Sequence, residues 1–310
     1  MNSGQGYLEW NSGRTWYNVI GDLNGAAGLT PIVISHGGPG AGSDYCEPIA
    51  NLSRDGRACI LYDQIGCGRS QHMPDADPSF WTVQLFKDEL VALLEHLGIG
   101  DNYILLGQSW GGMLAMEHAL DHPAGMRALI ICDSPASMPL WVAECDRLRG
   151  LLPQAVQKTL TSHESAGTTD DPAYRAAERA FYDQYLCRIP WPDCLVRSQD
   201  QQDADPTVYF TMNGPSEFHV TGTLKNWDIT DRLVEIDVPT LLVSGRHDEA
   251  TPLIVEQIHR RIPQADWIIF EESSHLPHVE EPDAFLDRVG AFLHRLPTTS
   301  TPNVVAPSDS

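Results

Sequence analysis

The pentapeptide Gly107-Gln108-Ser109-Trp110-Gly111 constrains this chain more than any other segment. An apolar run, NYILLGQS (102–109), leads into it, and GGMLAMEHAL (111–120) follows with a small-residue start. A serine between a buried strand and a helix must sit on a sharp turn. That turn needs glycine on both sides, because a Cβ there crowds the strained central residue. It lifts the hydroxyl above the sheet edge and aims the positive end of the helix dipole at it. G-x-S-x-G in a strand–turn–helix context is the signature of a nucleophile elbow. Ser109 is the candidate nucleophile.

The rest of the chain supplies the rhythm such a turn requires. TWYNVIG (15–21), PIVISHGG (31–38), ACILYDQ (58–64), NYILLGQS (102–109) and MRALIICDS (126–134) read as strands. Residues 82–97 place Phe86, Leu90, Leu93, Leu94 and Leu97 on one helical face, and Gly98 ends that helix. From 135 to 235 no buried strand is evident, and the chain reads as helices and loops. The β/α alternation resumes with PTLLVSGR (239–246), a helix near 252–262, DWIIFEES (266–273) and a last helix near 282–295. Alternation of this kind predicts a mostly parallel sheet with helices on both faces.

The expected fold class is therefore α/β, an α/β-hydrolase fold with a helical cap inserted after the sixth strand. Residues 1–134 and 236–296 form the core and 135–235 the cap. Residues 297–310, rich in Pro, Ser and Thr, form a tail expected to be disordered.

In this fold the acid and the histidine follow the serine in that order. Asp248 lies just past the strand TLLVSGR, and His275 just past DWIIFEES. Both positions fall at the carboxyl ends of strands, where ligands gather in open α/β sheets. Asp133 also follows a strand and is the rival acid. Asp248 is preferred because RHDEATP is a polar loop after the more C-terminal strand. Most of the twelve histidines must be structural. His278 is expected to pack locally, His247 to be exposed, and His36 to hold its loop. The loop His36-Gly37-Gly38-Pro39-Gly40 brings backbone N–H groups close to a ligand. Gly38, with Gly37 close behind, and the N–H of Trp110 are the expected oxyanion-hole donors.

Composition excludes several functions. The net charge of −22 repels nucleic-acid phosphates and anionic membranes. No apolar stretch approaches the ~20 residues of a membrane span. MNSGQGYLEW lacks a basic n-region and an apolar h-region, so a cytoplasmic location is expected. The seven cysteines are odd in number and contain no C-x-x-C pair, which argues for thiols rather than a disulfide frame or zinc site. Neither Cys67 nor Cys132, the thiols nearest the elbow, is expected to act in catalysis. No metal or other cofactor is expected.

HGGPG (36–40), DQIGCGRS (63–70) and GQSWGG (107–112), together with the acid and histidine segments, resemble the prolyl aminopeptidases. These are also called proline iminopeptidases, of peptidase family S33. The segment YFTMNGPSEFHVTGTLKNWD (209–228) is similar to that of the monomeric, small-cap subgroup that includes the tricorn-interacting aminopeptidase. L-proline amide hydrolases, also called L-amino-acid amidases, are of similar length. The resemblance implies that two glutamates hold the free α-amine of the substrate. By motif these are Glu217, in NGPSE, and Glu249, directly after Asp248, with Tyr209 assisting. A protonated amine entering a partly dry pocket needs such paired negative charge. Trp110 and cap aromatics are expected to enclose the pyrrolidine ring.

The reading is then a serine hydrolase cleaving the amide after a free N-terminal residue, preferably proline. Its substrate is an amino-acid amide or a short peptide with a free N-terminus. The choice between amidase and peptidase rests on space beyond the scissile bond, and overall similarity tips it toward the amidase. An esterase, lactonase or C–C bond hydrolase on the same triad has no use for paired glutamates. A non-catalytic binding protein on this scaffold usually lacks a triad member.

Overall fold

The computed structural model describes residues 3–23 and 28–297. Its strands are β1 (Gly4–Trp10), β2 (Gly13–Ile20), β3 (Ile32–Ser35), β4 (Cys59–Asp63), β5 (Tyr103–Gln108), β6 (Met126–Cys132), β7 (Thr240–Gly245) and β8 (Ala265–Phe270). They form one sheet in the order β1-β2-β4-β3-β5-β6-β7-β8. The β1–β2 and β2–β4 pairs are antiparallel, and the other pairs are parallel. β3, β4, β5 and β7 are buried at every position, as a sheet covered on both faces requires.

The helices flanking the sheet follow from local sequence. α1 (Val83–His96) starts where Thr82 accepts from the Leu85 N–H and ends before Gly98, at φ 67°. Its buried face carries Phe86, Leu90, Leu93 and Leu94, the residues that the helical period brings together. α2 (Trp110–Ala119) is buried nearly all round, because it lies centrally against β5 and β6.

Between β6 and β7 the chain forms α3 (Met138–Arg149), α4 (Gln154–Ala166), α5 (Pro172–Tyr185), α6 (Asp193–Ala204) and α7 (Thr207–Met212), and no strand among the described residues. The two ends of this excursion are fastened to each other. Met138 N–H donates to Trp227 O, Ile229 N–H to Ala136 O, and Ser137 Oγ to Asp228 Oδ2. A shared apolar cluster joins the excursion to the sheet layer: Trp110, Trp141, Leu148, Phe181 and Phe218 pack with Ile254. Ile254 lies on α8 (Pro252–His259); α9 (Pro277–Glu280) and α10 (Pro282–Arg295) complete the chain.

The sixth strand in chain order is β6, after which the helical excursion begins. The sequence reading found only five strands to that point, because β1 escapes it. GQGYLEW has two glycines and, as an edge strand with one buried residue, no apolar face to reveal it. The Pro- and Ser-rich tail lies outside the described residues from 298 onward.

Candidate active site

Ser109 occupies the turn between β5 and α2 at φ 55°, ψ −122°, a conformation that non-glycine residues seldom adopt. The flanking glycines are a steric necessity. A Cβ on Gly107 meets Gly111 O at 2.1 Å, and one on Gly111 meets Ser35 O at 2.0 Å. A third, on Gly112, meets Ser134 Oγ at 2.0 Å. Ser109 N–H donates to Cys132 O at 2.9 Å, which ties the elbow to β6.

The loops after β7 and β8 bring Asp248 and His275 together. His275 Nδ1 lies 2.7 Å from Asp248 Oδ1, which also accepts from Ala250 N–H at 2.8 Å. A carboxylate on Nδ1 keeps the proton there and leaves Nε2 as the basic face. Burial alone lowers the pKa of His275. The charge and hydrogen bond of Asp248, helped by Glu217, outweigh it and hold the imidazole above its usual value. The edge of Trp141 covers the ring, with centroids 5.9 Å apart.

In the loop after β3, Gly38 takes φ 107° and lines the same cavity as Ser109 and His275. Gly37 differs: its N–H donates to Tyr45 Oη at 2.6 Å. Of the two glycines, Gly37 therefore has its N–H engaged within the protein. His36 holds the loop, with Nδ1 2.9 Å from Gly37 O and Nε2 accepting from Gln64 N–H at 3.0 Å.

Glu217, after α7, also faces the cavity and accepts from Tyr209 Oη at 2.7 Å. Its segment is held by Trp141 Nε1, which donates to Glu217 O at 2.7 Å, and by Tyr182 Oη, which accepts from Glu217 N–H at 3.3 Å. Glu249 is fully buried, and neither of its carboxylate oxygens has a hydrogen-bond partner among the described residues. Oε1 lies 4.0 Å from His275 Nε2. Burial raises the pKa of both glutamates; Glu217 and Asp248 raise that of Glu249 further, whereas Tyr209 and His275 oppose the rise at Glu217.

Other sequence candidates fall elsewhere. His278 packs on Tyr45 and Phe285, with Nε2 3.1 Å from Tyr45 O, and His247 is exposed. Asp133 is buried beside Asp248. Burial raises the pKa of the Cys67 and Cys132 thiols. One expectation is corrected: the Trp110 side chain does not enclose the cavity. Its Nε1 donates to Gln64 Oε1 at 2.8 Å and its ring packs on Phe86, because the first turn of α2 points that side chain into the core. Tyr45, Tyr182 and Trp141 were missed as site residues: no motif marks them, and only the fold brings them here. Gln64 lies in the DQIGCGRS motif, which gives it no role of its own; its contacts with His36 and Trp110 come from the fold.

The cavity has a volume of about 410 Å³ and opens between α5, α6, α7 and the loops after β3 and β8. Tyr182, Trp191, Tyr209 and Phe210 supply its aromatic walls. Among the described residues, no group of three or more His, Cys, Asp or Glu side chains is placed to hold a metal ion. None of the described helices is long and apolar enough to cross a membrane.

Residues 30–282 match the family model of the α/β hydrolase fold, and the chain is a hydrolase of that class. It is 34% identical over 292 residues to a proline iminopeptidase of Clostridium botulinum, covering 94% of this chain and 98% of the relative. The crystal structure of VinJ superposes with a TM-score of 0.93 at 48% identity, covering 96% of this chain and all (100%) of VinJ. That of the proline iminopeptidase of Mycobacterium smegmatis gives 0.87 at 44% identity, covering 94% and 98%. Within the α/β hydrolases, the chain belongs to the proline iminopeptidase family.

Proposed function

We propose that this enzyme hydrolyses the amide bond after a free N-terminal residue, preferably proline, through an acyl-enzyme on Ser109. One observation carries the reading: the partnerless, fully buried carboxylate of Glu249, 4.0 Å from His275 Nε2. A buried carboxylate without a donor is unfavourable by several kcal/mol, on the order of the penalty for an unpaired buried ion. A substrate ammonium supplies both charge and donors. Glu217 and Tyr209 give that cation a second acceptor wall, and the charge keeps the two carboxylates from repelling each other.

In the proposed mechanism Ser109 Oγ attacks the carbonyl carbon while His275 Nε2 takes its proton. Asp248 stabilises the imidazolium. The N–H groups of Gly38 and Trp110 receive the oxyanion, and Gly37, its N–H engaged by Tyr45, supports the loop. His275 then protonates the leaving amine, and water releases the residue by the reverse path. The segment 135–235 acts as a cap whose aromatic side chains shape the space beyond the scissile bond. A cavity of about 410 Å³ exceeds a pyrrolidine ring and an ammonia, which supports a peptide leaving group and tips the balance back from the amidase. The partner is a small amide or short peptide with a free N-terminus. A reducing, cytoplasmic compartment suits the seven free cysteines.

The test compares L-prolinamide, a Pro-Xaa dipeptide and N-acetyl-prolinamide. We expect the acetylated compound to be a poor substrate. Glu217→Gln and Glu249→Gln should each lower kcat/KM on the free amines about 10- to 100-fold, the worth of a charge-assisted hydrogen bond. Hydrolysis of the acetylated amide at the rate of the free one rejects the amine clamp.

A further inference from the structure

Asp133 follows β6 and is fully buried at φ 53°, a conformation a non-glycine residue keeps only under constraint. Gly245 N–H donates to its Oδ1 at 3.1 Å. Its Oδ2 has no donor among the described residues, and neither has Oδ2 of Asp248. The two carboxyls nonetheless lie beside each other, both buried. Two ionised carboxylates are both acceptors and repel each other, so neither can satisfy the other without a proton. One proton placed between the two orphan oxygens satisfies both.

The partners decide which carboxyl carries it. Asp248 Oδ1 receives two donors, His275 Nδ1–H and Ala250 N–H. Asp133 receives one, from the backbone. Burial, and then the neighbouring charge of Asp248, push the Asp133 carboxyl well above the usual range. The charged groups around the pair are His275 and Glu249 from the flanking loops and Glu280 from α9.

We propose that Asp133 is a positioning residue: as a neutral acid it donates to Asp248 Oδ2, locking the carboxylate that orients His275. One negative charge, rather than two, then lies beneath the imidazole. This inference rests on the reading of Asp248 as the acid of the triad.

Asp248→Asn tests that reading first, with an expected loss of about 10⁴-fold in kcat. Retained activity would remove the assignment, and the inference with it. Asp133→Ala is then expected to lower kcat about 10- to 100-fold with KM nearly unchanged. Asp133→Asn can donate from Nδ2 while still accepting from Gly245, and recovers most of that loss. The acidic limb of kcat/KM against pH stays in place in Asp133→Asn, since one neutral group replaces another. A limb moved to lower pH means that Asp133 was charged and overturns the proposal while the triad stands. Equal loss in the Ala and Asn variants overturns it as well. Circular dichroism checks folding, and the isosteric Asn variant decides the matter if the Ala variant does not fold.

Discussion

Gln108 Nε2 donates to the main-chain carbonyl of His275 at 3.0 Å, while Gln108 Oε1 accepts the hydroxyl of Tyr45. Tyr45 Oη in turn accepts the N–H of Gly37. One amide side chain, at the variable position of G-x-S-x-G, thus fastens the loops after β3 and β8 on either side of Ser109. The proposed oxyanion donors and the proposed base are held in register by a group that touches neither reacting atom.

Tyr45→Phe removes the hydroxyl at the centre of this chain. Gly37 N–H and Gln108 Oε1 are then buried without a partner, at about 1–3 kcal/mol for such a group. The melting temperature should fall by several degrees, at about 2–4 °C per kcal/mol for a large domain. We expect kcat to fall about tenfold with little change in KM, since positioning rather than binding is lost. Thermal unfolding and steady-state kinetics check this; unchanged values in both would show that the loops hold without Tyr45.

The pH profile follows from His275 as the proposed general base. A general base must be neutral, so kcat/KM should rise with pH as the imidazole loses its proton. Asp248 and Glu217 hold that proton more tightly than in a free histidine. The acidic limb therefore lies above the ordinary imidazole value of about 6.5. Glu217→Gln removes one of the negative charges responsible, so the limb should move to lower pH. Profiles of kcat/KM for both proteins decide it, and a move in the opposite direction contradicts the electrostatic account.

Two glycines should respond oppositely to alanine. In Gly111→Ala the new Cβ lies 2.0 Å from Ser35 O, and backbone on both sides cannot yield cheaply. A loss of about 3 kcal/mol is expected, together with activity, because the elbow itself must shift. Gly290, in α10, has nothing within 4 Å of a new Cβ. Gly290→Ala should stabilise by about 0.4–1 kcal/mol through the unfolded chain. Denaturant melts of the two variants give the comparison directly.

Much of the proposed site is legible in the sequence. The apolar runs of β5, β7 and α1 advertise their state because burial on one or both faces dictates their pattern. Ser109 was legible because its turn demands glycines at set spacings. Asp248 and His275 were legible because each follows a strand at the carboxyl edge of the sheet. Glu217 was legible only through the resemblance of its segment to the proline iminopeptidases. As a lone acid in a helical excursion, it has no period or spacing to distinguish it from a solvated charge. β1 was hidden because an exposed edge strand with two glycines carries no apolar alternation.

By itself, then, the sequence determined the α/β framework, the strand–turn–helix elbow at Ser109 and the chain order of the proposed serine, acid and histidine. Those features rest on local rules: side-chain period, steric demands at a turn, and loop position after a strand. Only the tertiary structure decided that Gly37 has its N–H occupied, that Trp110 turns into the core, and that Asp133 lies against Asp248. Trp110 with Gln64 and Asp133 with Asp248 are contacts between residues far apart in the chain, and Tyr45 meets Gly37 while its hydroxyl is held by the distant Gln108. Hydrogen-bond satisfaction and burial at such contacts are properties of the packed fold, and no local pattern encodes them.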